Sequence, residues 1–148
     1  DAVEFASNAL GLKDANSQEL KPASSNHIIH LMEDQKDIED LGGTMRLGAY
    51  PCDITPGTKA QKAYKKEKIS ERHRHRYEFN VDYRGGFLEN GMIFSGQSPD
   101  ETLVEMIELK DHPWFVACQF HPELKSGPMN PHPLFRDFVA ASIESQKG

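Results

Sequence analysis

Two short segments concentrate side chains able to do chemistry, His121-Pro122-Glu123 and the run Arg72-His73-Arg74-His75-Arg76-Tyr77. In extended backbone, residues two apart face the same way, so His121 and Glu123 are expected to point into one cleft. A carboxylate beside an imidazole fixes its tautomer and stabilises the imidazolium, as a general base serving a nucleophile requires. Ordinary polar residues closing a strand show the same spacing, and His-x-Glu alone does not separate the two readings. The same period puts Arg72, Arg74 and Arg76 on one face of the second segment, and His73, His75 and Tyr77 on the other. Guanidiniums so close repel unless anions or carboxylates neutralise them. One of them can hold a ligand carboxylate through a bidentate pair, or all can join an ion-pair strip with the chain's Asp and Glu. His73 and His75 with His121 or Glu123 would make a metal site if three or four ligands converged.

A nucleophile to match the base is harder to find. The only cysteines are Cys52 and Cys118. Cys118 lies three residues before His121 on one expected strand, so the two side chains should face opposite sides of the sheet. Within Val116-Ala117-Cys118-Gln119-Phe120 it reads as a buried, inert thiol. Cys52 follows Pro51 in an expected turn, with no helix start or basic group beside it to lower its pKa. Neither a Gly-x-Ser-x-Gly nor a Gly-x-Cys-x-Gly elbow occurs. The residues alone offer a base and its orienter but nothing for them to activate.

The elements that must position these groups follow from periodicity. Ala2-Val3, Phe5-Ala6 and Ala9-Leu10 recur at helical spacing and Gly11 supplies a stop, so residues 1–10 read as a helix. The polar stretch Asp14 to Glu19 reads as loop and His27 to Met32 as a buried strand. Glu33 to Asp40 should be a solvated loop or hairpin, and Gly42-Gly43 a turn into a strand over Thr44 to Tyr50. Residues 59–68 read as a basic surface helix. Met92 to Gly96, Leu103 to Leu109 and the apolar Trp114 to Phe120 read as strands, and Phe135 to Ile143 as a closing amphipathic helix. His121-Pro122-Glu123 would then lie at a sheet's edge, where α/β proteins place their sites. The class is α/β or α+β, without internal repeats.

At 148 residues a single core is expected. Apolar residues at 37% and aromatics at 9% argue against disorder. A formal net charge of −6 makes nucleic acid an unsuitable partner for the surface as a whole. No apolar run approaches the roughly 20 residues of a membrane span. Two cysteines without metal-ligand spacing fit a reducing cytoplasm. Asp1 stands where a methionine would, already within a helical pattern, and a longer parent chain is expected.

Three segments together carry a family resemblance. Gly42-Gly43-Thr44-Met45-Arg46-Leu47-Gly48, Glu71-Arg72-His73-Arg74-His75-Arg76-Tyr77-Glu78 and Gln119-Phe120-His121-Pro122-Glu123 closely resemble CTP synthases in order and spacing. His-Pro-Glu is shared by the wider class I (triad) glutamine amidotransferases, whereas the other two segments are far more particular to CTP synthases. The resemblance runs over essentially the whole chain. It implies an α/β, flavodoxin-like three-layer glutaminase domain that hydrolyses glutamine with a Cys-His-Glu triad. The ammonia passes to a separate synthase domain, where ATP and magnesium activate UTP and amination yields CTP. No cofactor is implied for this chain, and the parent enzymes assemble as tetramers mainly through the synthase domain.

Carried over by resemblance, His121 is the general base, Glu123 its orienter, Arg76 the residue holding the glutamine α-carboxylate, and Glu19 the contact to the substrate's amino group. The family's nucleophile elbow would precede the helix that begins at Asp1. Residues 1–148 therefore read as a partial domain lacking that elbow, predicted inert by itself because neither acyl-enzyme nor oxyanion support can form. Two other readings stand beside it: a glutamine-binding regulatory module without a nucleophile, and a metal hydrolase using His73, His75 and His121.

Overall fold

The computed structural model describes residues 1–31 and 45–147. The Glu33 to Asp40 loop and the Gly42-Gly43 turn expected from sequence lie outside the described residues. Two sheets and helices on both sides of them make an α/β architecture.

The smaller sheet has the order β1-β2-β5, with β1 Ala15–Ser17 parallel to β2 Asn26–Leu31 and β5 Tyr77–Phe79 antiparallel to β2. β1 lies inside the stretch expected to be loop. Its three residues lack any apolar alternation, and they become a strand because β2 offers a partner. The larger sheet, β4-β3-β6-β7-β8, is antiparallel throughout its described pairings. β3 Arg46–Ile54 and β4 Lys68–His75 pair without a break from Arg46↔His75 to Asp53↔Lys68. β6 Met92–Gln97 and β7 Val104–Leu109 form the centre, and β8 Val116–Cys118 an edge.

Helix α1, Ala2–Asn8, ends before Gly11, whose φ of 66° supplies the left-handed turn that releases the chain. α2 is Lys59–Tyr64, four residues shorter than expected at its C-terminal end. Lys65 adopts φ 56° and stops it, and Lys68 already belongs to β4. The buried carboxylate of Glu108 accepts the Lys59 and Ala60 backbone N–H groups at 3.0 and 3.2 Å, satisfying donors left open in the first turn. α3 is Arg84–Glu89 and α4 is Pro133–Lys147.

Two apolar cores follow. One packs Ala6, Ile28, Phe79, Phe87 and Phe94 between the smaller sheet, α1, α3 and β6, with ring centroids 5.0 Å (Phe79 to Phe87) and 5.4 Å (Phe79 to Phe94) apart. The other packs Cys52, Ile54, Ala60, Ala63, Met106, Phe120 and Leu134 between the larger sheet, α2 and α4. Cys52 is thus fully buried in β3, not in a turn. Pro51 lies exposed in the same strand, opposite Ser70. The apolar run Trp114 to Phe120 gives only three residues of strand, half-buried rather than fully buried, because β8 has a single neighbour in its sheet.

Candidate functional site

β4 keeps strict alternation from Glu71 to Arg74. Glu71 and His73 are buried and Arg72 and Arg74 exposed, as period two dictates. The alternation stops at Arg76, which falls between β4 and β5 as the chain leaves one sheet for the other. Arg76 is therefore half-buried and does not share the outer face of Arg72 and Arg74. Its Nε is buried without a hydrogen-bond partner among the described residues. An unmatched guanidinium donor of this kind suits an incoming acceptor.

The His121-Pro122-Glu123 segment is not extended. Pro122–Lys125 form a 3-10 turn, entered from His121 at φ −107° and ψ 86°. Pairing of the two side chains nevertheless holds, since His121 Nδ1 lies 2.7 Å from Glu123 Oε1. A tight turn brings the carboxylate back over the ring that an extended backbone would have placed beside it. The bond draws the Glu123 carboxyl below its ordinary range. It also assigns the proton to Nδ1, leaving Nε2 as the basic nitrogen. The turn is anchored on β4, because His121 N donates to Arg72 O at 2.8 Å and Lys125 Nζ to Ser70 O at 2.6 Å. Cys118 closes β8 and does not share a strand with His121.

Glu19 is exposed just after β1, its N–H donating to Ser17 Oγ at 3.3 Å. Register places it at the same end of the smaller sheet as Arg76. Ser17 pairs with Ile29, Leu31 pairs with Tyr77, and Gln18 Oε1 accepts from Leu31 N at 2.8 Å. The residues leaving β1 and those entering β5 thus meet the same edge. No hydrogen bond or ion pair among the described residues joins either to the His121–Glu123 couple. Burial pushes both thiols, Cys52 and Cys118, up to about 12, so neither is a thiolate near neutral pH.

Behind these groups lies a buried polar cluster that periodicity did not single out. Arg46 donates to Glu78 Oε1 at 3.3 Å and to Glu105 Oε1 at 2.5 Å, and its guanidinium lies 4.5 Å over the Tyr50 ring. His73 and His75 share a hydrogen bond of 2.8 Å. A second knot joins Glu71 to the Tyr64 hydroxyl at 3.0 Å, His132 Nε2 at 3.2 Å and Lys125 at 3.3 Å. The usable signal for the first cluster was charge at inward positions, Arg46 opposite His75 in register and Glu78 in a strand of the core. Among the described residues no three of His, Cys, Asp or Glu are grouped as a metal ion requires. Nor is any described helix long and apolar enough to cross a membrane.

Residues 6–141 match the family model of the class-I glutamine amidotransferases, and the chain belongs to that family. Within it, the similarity is to the glutaminase domain of CTP synthases. The CTP synthase of Carboxydothermus hydrogenoformans is 61% identical over 145 residues, which are 98% of this chain and 27% of that protein. That of Bacillus subtilis is 58% identical over 144 residues, 97% of this chain and 27% of that protein. The chain thus spans about a quarter of the length of these relatives. Among solved structures, the Trypanosoma brucei CTPS glutaminase domain with bound acivicin superposes with a TM-score of 0.89 at 34% identity. That match covers 97% of this chain and 56% of the other. The α/β glutaminase fold expected from the motifs is therefore the fold present.

Proposed function

We propose that these residues are the base-bearing part of a CTP synthase glutaminase, in which glutamine is hydrolysed and its ammonia aminates UTP to CTP. The observation that carries this reading is the His121–Glu123 hydrogen bond at 2.7 Å, on a turn tied to the strand that runs on to Arg76. With Nδ1–H held by Glu123, His121 Nε2 takes a proton from a nucleophile and later gives it to the leaving ammonia. Arg76, whose buried Nε bonds nothing among the described residues, takes the substrate α-carboxylate, and Glu19, at the same sheet end, takes its ammonium. Acivicin, a glutamine analogue, occupies the solved relative, which supports a glutamine pocket in this fold.

The nucleophile would come from outside these 148 residues. Both cysteines within them are held as thiols by burial, which supports a partial domain that turns over no glutamine alone. ATP and magnesium would act in the partner synthase domain, and no cofactor is assigned here.

The test is glutamine hydrolysis by the full-length protein carrying this chain and by residues 1–148 alone. Turnover in the first, abolished by His121→Ala, with none in the second, is the expected pattern. Hydrolysis by residues 1–148 alone, or full activity after His121→Ala, would overturn the assignment.

A further inference from the structure

His121 lies on the larger-sheet side and Arg76 enters the smaller sheet, so their separation depends on what joins the two sheets. Two residues before His121, the Gln119 side chain reaches across between the sheets. With its amide oriented to satisfy its surroundings, the nitrogen donates to Val104 O at 3.2 Å and to Glu78 Oε2, and the oxygen accepts from Phe79 N at 3.3 Å. Glu78 lies two residues after Arg76 in β5 and is 2% exposed. Its other oxygen, Oε1, faces Arg46 Nη1 at 3.3 Å and His75 Nδ1 at 3.4 Å. Arg46 in turn reaches Glu105 on β7, and Gln119 N donates to Glu105 O at 3.0 Å. The two oxygens of Glu78 are thus divided, Oε2 toward the segment leading to His121 and Oε1 toward the start of β3 and the end of β4. Phe79, the next residue in β5, packs in the apolar core against Phe87 and Phe94.

We propose that the Gln119–Glu78 hydrogen bond is a positioning joint that sets the separation of His121 from Arg76 and so selects substrates by chain length. It rests on the reading of His121 and Arg76 given above. A substrate held at its α-carboxylate by Arg76 presents its amide carbon to His121 only if carboxylate and amide are the right number of methylenes apart. Glutamine and asparagine differ by one methylene. A polar joint is well suited to this task because hydrogen bonds fix direction and length, whereas an apolar contact at the same place tolerates sliding. Gln119 and Glu78 touch no reacting atom in this scheme and act through their neighbours.

The experiment uses the full-length enzyme with Gln119→Met, which keeps length but cannot hydrogen-bond, and Glu78→Gln, which keeps shape but loses the ion pair with Arg46. Steady-state hydrolysis of glutamine and of asparagine is measured, together with CTP formation from added ammonium chloride, which bypasses this site. A misplacement of about 1 Å is expected to lower kcat/KM for glutamine on the order of 100-fold, mainly through kcat. Discrimination against asparagine narrows while ammonium-driven synthesis is unchanged. The double variant Glu78→Gln with Gln119→Glu, which reverses the donor and acceptor, restores part of the loss. Unchanged kcat/KM and unchanged glutamine-to-asparagine discrimination in both single variants would overturn the joint. So would parallel loss of ammonium-driven synthesis and thermal stability, which marks a general structural role. Retention of hydrolysis after His121→Ala would instead strike the reading on which the joint rests.

Discussion

His73 Nδ1 and His75 Nε2 stand 2.8 Å apart on one face of β4, so two imidazoles share a single proton inside the core. His75 Nδ1 lies 3.2 Å from Tyr77 O and must donate to it, which makes His75 Nε2 the acceptor and His73 Nδ1 the donor. Both rings are then neutral. Burial, with the Arg46 charge next, lowers His73 to about 3 and His75 to about 4. An unfolded chain binds protons on both near 6.5, so their contribution is present above that pH and lost as pH falls toward 3. Glu71 adds to the same trend below 4.5. Burial works against its ionisation, but the His132 hydrogen bond and Lys125 outweigh it and draw its carboxyl down. Burial pushes Glu78 up to about 7, which opposes the histidines between 4.5 and about 7, and burial raises Glu105, which acts in the same sense above 4.5. Stability is therefore expected to fall more gently with acidification over that window than from pH 4.5 to 3, where the histidines and Glu71 act together. Thermal melts by circular dichroism at pH 3.5, 5.5 and 7 measure this, and equal midpoints at 3.5 and 5.5 would contradict it.

His121 and Glu123, in their proposed roles of base and orienter, should differ in weight. Removing a general base costs roughly 100- to 10,000-fold in rate, so His121→Ala in the full-length enzyme should lose at least the lower of these in kcat for glutamine. Glu123 has a side chain 58% exposed, and water can partly replace it, so Glu123→Gln should cost less than His121→Ala. Hydrolysis rates measured by ammonia release rank the two, and an order with Glu123→Gln worse would refute the assignment of roles.

Arg76 offers a rigid fork whose buried Nε bonds nothing among the described residues. Lysine keeps the charge but not the fork. Arg76→Lys is therefore expected to raise KM for glutamine about 10-fold or more, the range of one charge-assisted hydrogen bond, with kcat nearly unchanged. A KM equal to that of the parent would show that the guanidinium does not meet the substrate.

Gly96 sits where the pairing of β6 with β7 shifts register. A Cβ there would lie 2.5 Å from Met106 Cε, 2.9 Å from Cys52 Sγ and 3.2 Å from Met106 Cβ. The thioether can swing aside, but the short Cys52 side chain cannot. Gly96→Ala should destabilise the protein by about 1–3 kcal/mol through overpacking. Chemical denaturation gives the value, and the pair Gly96→Ala with Cys52→Ala should recover part of it.

Much of this molecule can be read from its chain because the relevant forces are local. Alternation gave β4 its buried His73 and exposed Arg72 and Arg74, helical spacing gave α1 and α4, and Gly11 marked the first stop. His121 and Glu123 were legible as a pair because two residues so close in sequence meet in either a strand or a tight turn, though the turn itself was not foreseen. Relations between distant segments were decided by tertiary structure. Ala15–Ser17 became a strand through β2, Cys52 was buried by α2 and α4, and Arg76 lost its place beside Arg74 when the chain changed sheets. The cluster of Arg46, Glu78, Glu105 and Gln119 joins residues up to 73 positions apart. Charges can be buried there because each finds its partner across the space between the sheets, and no local period encodes that meeting.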